Sequence, residues 1–195
     1  MVKTKDILEL LNIIAPFDIA EDWDNSGLQV GNLNWEVKKV MIALDVSMPL
    51  MTAAKKAHCD LVLTHHPLMI QPEKSIDFNK MPGSAIEIAA RYGISILSAH
   101  TNLDKANDGL NDYFATKIGL RKTKVFFMEN SSLIPLDEMI GMGRIGYLKS
   151  QEPLKQVVHQ IKEKLALSHL RVTGDLDLPV SCVAVCIGSG GSLLD

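Results

Sequence analysis

The chain has 195 residues, 47% of them hydrophobic, which is enough for one generous domain or two small ones around a buried core. With 20 basic and 23 acidic side chains the formal net charge is -3, too even a balance to mark nucleic acid or an anionic membrane as the main partner. Cys59, Cys182 and Cys186 are odd in number and lack framework spacing, which excludes a disulfide scaffold and points to a reducing, cytoplasmic setting.

The N-terminal "MVKTKDILELLNIIAPF" places Ile7, Leu8, Leu11 and Ile14 at helical spacing, with Thr4 as the expected cap and Pro16 closing the helix. Glu9 and Asn12 interrupt it, so it is too short and too polar for a membrane span, and it has no small-residue cleavage site. Next, "FDIAEDWDNSGLQVG" is expected to be a long ordered loop. A strand over Val40 to Ser47 follows, then a helix opened by Ser47 and Pro49 and running through Ala57, then a second strand in "DLVLTHH". "GSAIEIAARYG" is a helix capped by Gly93, "ISILSAH" is a third strand, and "NDGLNDYFATKIGL" is a helix capped by Asn107 or Asp108. Strands alternating with helices of this length imply right-handed crossovers and a largely parallel sheet.

A second block begins near Val125. "GRIGYLK" is strand-like, Pro153 opens a helix to about Leu165, "LRVTG" is a short strand, and "PVSCVAVCIGSGG" is a strand entering a glycine-rich turn. Cys182 and Cys186 share a face of that strand and are expected to be small buried hydrophobes. "IGSGGS" can cradle phosphate at a helix N-terminus or form a plain tight turn; without a Lys after the glycines the turn is favoured. Because a strand, a turn and "GSLLD" make a poor terminus, the second domain is expected to be incomplete. The fold class expected is therefore α/β in two lobes, 1–122 with mainly parallel strands and 123–195 partial, with "ENSSLIPLDE" as connection.

In an open parallel sheet, functional groups gather beyond the carboxyl ends of the strands. Asp45, His65, His66, His100 and Asp104 all fall at strand exits and are expected to converge. Adjacent residues of an extended segment point in opposite directions, so His65 and His66 would serve two neighbouring ions, with Asp104 as a third ligand. Ions about 3.5–4 Å apart are a recurrent way to activate water. Imidazole with carboxylate suits Zn, Fe, Mn, Co or Ni. Bland alternatives stand beside this: a satisfied imidazole pair, Asp104 bracing the next helix, Asp45 as a turn residue. His58, His159 and His169 are expected to be surface residues or satisfied core groups.

"EDWDNSGLQVG", "DLVLTHHPL", "SAHTNLDKANDGLNDYFA", "GMGRIGYL" and "VAVCIGSGGSLL" together resemble, in order, the signature blocks of the Nif-three-like family, dinuclear-metal proteins labelled GTP cyclohydrolase 1 type 2 homologs. The resemblance implies that His65, His66 and Asp104 bind up to two divalent metal cations per subunit. A C-terminal histidine and glutamate block, which this sequence does not contain, would complete the family's site. Asp45 or His100 could contribute a further donor, but both are expected instead to orient ligands or handle protons, with His100 as the catalytic candidate. Also implied are a small-molecule substrate, a nucleotide or related heterocycle, hydrolysed with metal; a homohexamer; and no membrane or nucleic-acid partner. The alternatives are a non-catalytic metal carrier, a regulatory binding protein, or an inactive truncated family member.

Overall fold

The computed structural model describes residues 1–127 and 140–193, so "ENSSLIPLDE" lies outside the described residues. The chain divides into two units, Met1–Leu103 and Asp104–Asp195, a division that falls ahead of the residue-122 boundary expected. Each unit has its own sheet. Among the described residues, no helix is long and apolar enough to cross a membrane.

The first unit opens with α1 (Thr4–Ile14). Its Ile7, Leu8 and Leu11 pack on Val37, Leu61 and Leu97, as the helical spacing requires. Thr4, however, is not the cap. Lys3 is the N-cap, and its N–H donates to Asp6 Oδ2 at 2.8 Å. Thr4 lies inside the helix and is fully buried, with its hydroxyl 2.9 Å from Ser95 Oγ, so both polar groups enter the core already satisfied.

Four strands follow: β1 (Gly27–Val30), β2 (Val40–Ala43), β3 (Leu61–Thr64) and β4 (Ser95–Ser98), in the order β1-β4-β3-β2. β2, β3 and β4 run parallel, while β1 closes one edge antiparallel to β4. β1 corrects the expectation of a continuous loop. At its end Gly31 has φ +125°, and a Cβ there would sit 2.6 Å from Ser95 Oγ and 2.9 Å from Ser95 Cα. Only glycine lets the backbone come this close.

The crossover helices are α2 (Met48–Lys56) and α3 (Gly83–Tyr92). Ser47 Oγ caps α2 by accepting from the Leu50 N–H at 3.3 Å, and Gly93, at φ 65°, ends α3 in the left-handed conformation. Met51, Ala54, Ala85 and Ala89 from these helices share one core with Val62 and Ile96 from the sheet. The fold-class expectation, α/β with mainly parallel strands in the first lobe, holds.

The second unit begins within α4 (Thr101–Lys105), a short helix absent from the sequence expectation. α5 (Leu110–Ile118) starts after Gly109 rather than Asn107 or Asp108, and Gly119 ends it. β5 (Arg121–Phe127), β6 (Met142–Pro153) and β7 (Pro179–Val185) form an antiparallel sheet in that order, with α6 (Leu154–Lys164) following Pro153 as expected. Ala115, Ile118 and Leu120 gather Ile161, Leu165 and Val183 around them. "LRVTG" is not a strand. Cys182 is exposed and Cys186 lies just past β7, half-buried, so the expected buried pair is corrected: β7 ends before the second cysteine. The glycine-rich stretch runs into a 3₁₀ turn at Gly190–Leu193.

The polar anchor of this unit is Arg144 on β6, which is fully buried. Its Nε and Nη2 donate to the two carboxylate oxygens of Asp112, both at 2.6 Å. Nη1 donates to the carbonyls of Gly141 and Gly143, and Nη2 also to Ala106. All five guanidinium donors are used. Arg144→Met would leave the Asp112 carboxylate without its partner, and should lower unfolding free energy by about 3–5 kcal/mol. Urea unfolding followed by circular dichroism checks this; an unchanged midpoint would show that the fork adds nothing to stability.

Candidate metal centre

β3 ends at Thr64, and there the chain bends. Thr64 Oγ1 donates to the His66 carbonyl at 2.8 Å and closes the bend. His65 and His66 therefore lie outside the pleated strand, where side-chain alternation no longer applies. Their ring centroids are 4.9 Å apart with planes tilted by 47°. This corrects the expectation that they diverge. His100 arrives from the exit of β4, with its ring 5.1 Å from His65 and 5.5 Å from His66. One ligand atom from each of the three histidines lies within 4.8 Å of the others, so the three could hold a metal ion.

Each ring is held by its Nδ1. His65 Nδ1 is 2.9 Å from the Ala99 carbonyl, His66 Nδ1 2.6 Å from Asp45 Oδ1, and His100 Nδ1 2.8 Å from Asp24 Oδ1. A carbonyl or ionised carboxylate can only accept, so in each neutral ring Nδ1 carries the proton and Nε2 the lone pair. That is the tautomer a metal requires, and an oxygen acceptor behind the ring makes it a better donor. The donor chemistry fits a divalent transition metal. His65 is further biased toward its neutral form, because burial lowers its pKa, as does repulsion from His100 and His66, against the opposing pull of Ala99.

Asp24 is the residue that sequence reasoning gave no role. Its side chain is completely buried. Besides His100 it accepts from Ser26 Oγ at 2.9 Å, from the Thr101 N–H at 3.1 Å and from Thr101 Oγ1 at 2.6 Å. Burial alone would raise its pKa, but the bonds from Thr101, His100 and Ser26 outweigh it and lower the value from 3.8 to about 2. Asn102 locks the same corner: its Oδ1 accepts from the His100 N–H at 2.9 Å and lies 2.9 Å from Ser26 Oγ, and its Nδ2 donates to the Ala15 carbonyl at 2.7 Å. The density of Asp, Asn, Ser and Gly in "EDWDNSGLQVG" was the only signal in the sequence.

Of the five residues expected to converge, the structure brings His65, His66 and His100 together, with Asp45 attached through His66. Asp104 belongs to the second unit, where it is buried and its carbonyl accepts from Asn111 Nδ2 at 3.0 Å. There burial, and secondarily the Asp104 charge, push the Cys186 thiol up, so Cys186 is disfavoured as a thiolate. His58, His159 and His169 are exposed, as expected.

The model of the Duf34/NIF3 (NGG1p interacting factor 3) family matches residues 2–195. A Clostridium acetobutylicum protein named GTP cyclohydrolase 1 type 2 homolog is 32% identical, over 97% of this chain and 69% of its own length. The Helicobacter pylori GTP cyclohydrolase 1 type 2 is 29% identical, over 100% of this chain and 85% of its own length. Among solved structures, a Bacillus cereus protein related to NIF3 superposes with a TM-score of 0.87 at 26% identity, covering 99% of this chain and 78% of that one.

The depressed Asp24 pKa has a pH signature. Its stabilising contribution is fully present above the unfolded value of 3.8 and disappears as pH falls toward about 2. Urea melts across this window should lose stability less steeply for Asp24→Asn than for the wild type. Equal slopes would remove Asp24 from that role.

Proposed function

The chain belongs to the Duf34/NIF3 family, and on that footing we propose that it is a metal-dependent hydrolase acting on a nucleotide or related heterocycle. The observation that carries this is the cluster of three imidazoles, each fixed through Nδ1 to an oxygen acceptor. His65 and His66 would hold the ion, and the resemblance around "HTNLD" adds Asp104 as a further donor. A bound divalent cation would supply Lewis acidity and a water acidified toward neutral pH.

The protein's own groups divide the remaining work. His100 is the proton-handling candidate: Asp24 holds the Nδ1 proton and the orientation of the ring, leaving Nε2 as the basic atom that takes a proton and returns it. Asp45 holds His66 in the same way. Thr64 and Asn102 fix the two bends, so the rings need little reordering when they engage a ligand.

One observation favours a second reading, a metal carrier without turnover. The His66 and Asp45 side chains are 45% and 62% exposed, an arrangement from which an ion could exchange with solvent or a partner.

Elemental analysis of the purified protein tests the ligand set, with a divalent transition metal expected in the wild type. His65→Ala, His66→Ala and Asp104→Ala should lose metal, and unchanged content in all three would sink the site. His100→Ala should retain metal while losing hydrolysis of nucleoside triphosphates; loss of metal there would make His100 a ligand instead. Asp45→Asn should weaken metal affinity about 10–100-fold, read by competition with a chromophoric chelator. Stoichiometric metal without turnover of any nucleotide or heterocycle offered would favour the carrier.

A further inference from the structure

β2 is an edge strand: among the described residues it pairs with β3 alone, on its inner side. We infer that this open edge binds a second copy of the chain, the two β2 strands pairing antiparallel about a two-fold axis at Ile42 and joining two four-stranded sheets into one. The inference is independent of the hydrolase proposal.

The backbone of the edge is prepared for this. In a strand pair, alternate residues turn their N–H and C=O groups toward the neighbour. On β2 the odd-numbered residues do so: the Lys39 carbonyl accepts from the Leu61 N–H at 3.3 Å, and the Ala43 carbonyl from the His65 N–H at 3.4 Å. The N–H and C=O groups of Val40 and Ile42 therefore point away from β3, to the open side. An antiparallel partner centred on Ile42 would exchange two hydrogen bonds between the two Ile42 residues, the arrangement of a hydrogen-bonded antiparallel pair.

The side chains along the same edge are apolar and uncovered. Val40 is 38% exposed, Ile42 73% and Leu44 60%, at alternate positions that share one face. It is the face that α1 covers further in, over Leu61 and Leu63, the residues in register with Val40 and Ile42. An apolar open edge recruits another strand. Isologous pairing of two copies consumes the edge in both and closes the assembly there.

Charge decides the occupant and its direction. Residues 39–45, "KVMIALD", are complementary to themselves when reversed. Centred on Ile42, the antiparallel register sets Val40 against Leu44 of the second copy, Met41 against Ala43 and Lys39 against Asp45, on both sides of the axis. Residues directly opposite share a face, so Val40, Ile42 and Leu44 meet on one face and the opposite charges on the other. Lys39 Nζ donates to the Ala57 carbonyl at 2.7 Å and has two further protons, while the Asp45 Oδ1 is engaged by His66, which leaves Oδ2 for the ion pair. A parallel pairing in register would instead set like charges side by side.

Sedimentation velocity of the full chain, run over a range of protein concentrations, tests the interface. The wild type should be a dimer, or an even-numbered assembly built from it. Ile42→Pro removes an N–H that the single copy leaves unpaired on its edge, a substitution that edge strands tolerate, and should halve the particle mass. Ile42→Lys, at the same exposed position, should halve it too, with an unchanged circular dichroism melt. Lys39→Asp should weaken association about tenfold, and adding Asp45→Lys should restore it, because opposite charges again face each other. Mass is the readout, so loss of the Asp45 bond to His66 in that double variant does not enter the result. A monomeric wild type, an unchanged mass in Ile42→Lys, or a double variant that associates no better than Lys39→Asp alone would each overturn the inference.

Discussion

The first unit is organised around one buried carboxylate. Asp24 has no exposed side-chain surface, and a charge in that position costs several kcal/mol unless donors replace its water. Ser26, His100 and both the amide and the hydroxyl of Thr101 supply them. Those donors come from the loop ahead of β1 and from the exit of β4, so the requirement to satisfy one ion pins two distant segments to each other. The position of His100, and through it the imidazole cluster, follows from that bargain.

Much of the first unit was legible because its signals are local. Ser47 before a proline, Gly93 after an amphipathic run and the apolar stretches between them each specify an element within a few residues. What stayed hidden depends on pairing across the chain. Thr4 is a natural cap by type, yet Asp6 serves the helix start, and Thr4 instead meets Ser95, 91 positions away. β1 is four residues long, below the length at which alternation can be recognised, and its placement rests on Gly31 approaching Ser95. In the second unit, Arg144 sits inside the strand-like "GRIGYL", and nothing local says that its fork is filled by Asp112, 32 positions earlier.

The site divides along the same line. His65 and His66 were visible as an unusual pair at a strand exit, but pleat geometry gave the wrong directions, since the extended backbone stops one residue before them. Thr64 turns the chain with its own hydroxyl, and the rings come to the same side. Asp24 was hidden for a different reason: its link to His100 spans 76 positions, and a run rich in Asp, Asn and Gly reads equally well as an ordinary loop.

The three imidazole anchors are not chemically alike. His65 leans on a main-chain carbonyl, which no side-chain substitution can delete, while His66 and His100 lean on carboxylates that a single codon change can alter. A carboxylate behind the ring enriches the opposite nitrogen more than a neutral carbonyl does, so the cluster presents donors of graded strength. A side-chain substitution can therefore alter two of the three anchors but not the third. Positions 45 and 24 are thus where the imidazoles can be retuned without touching the histidines themselves.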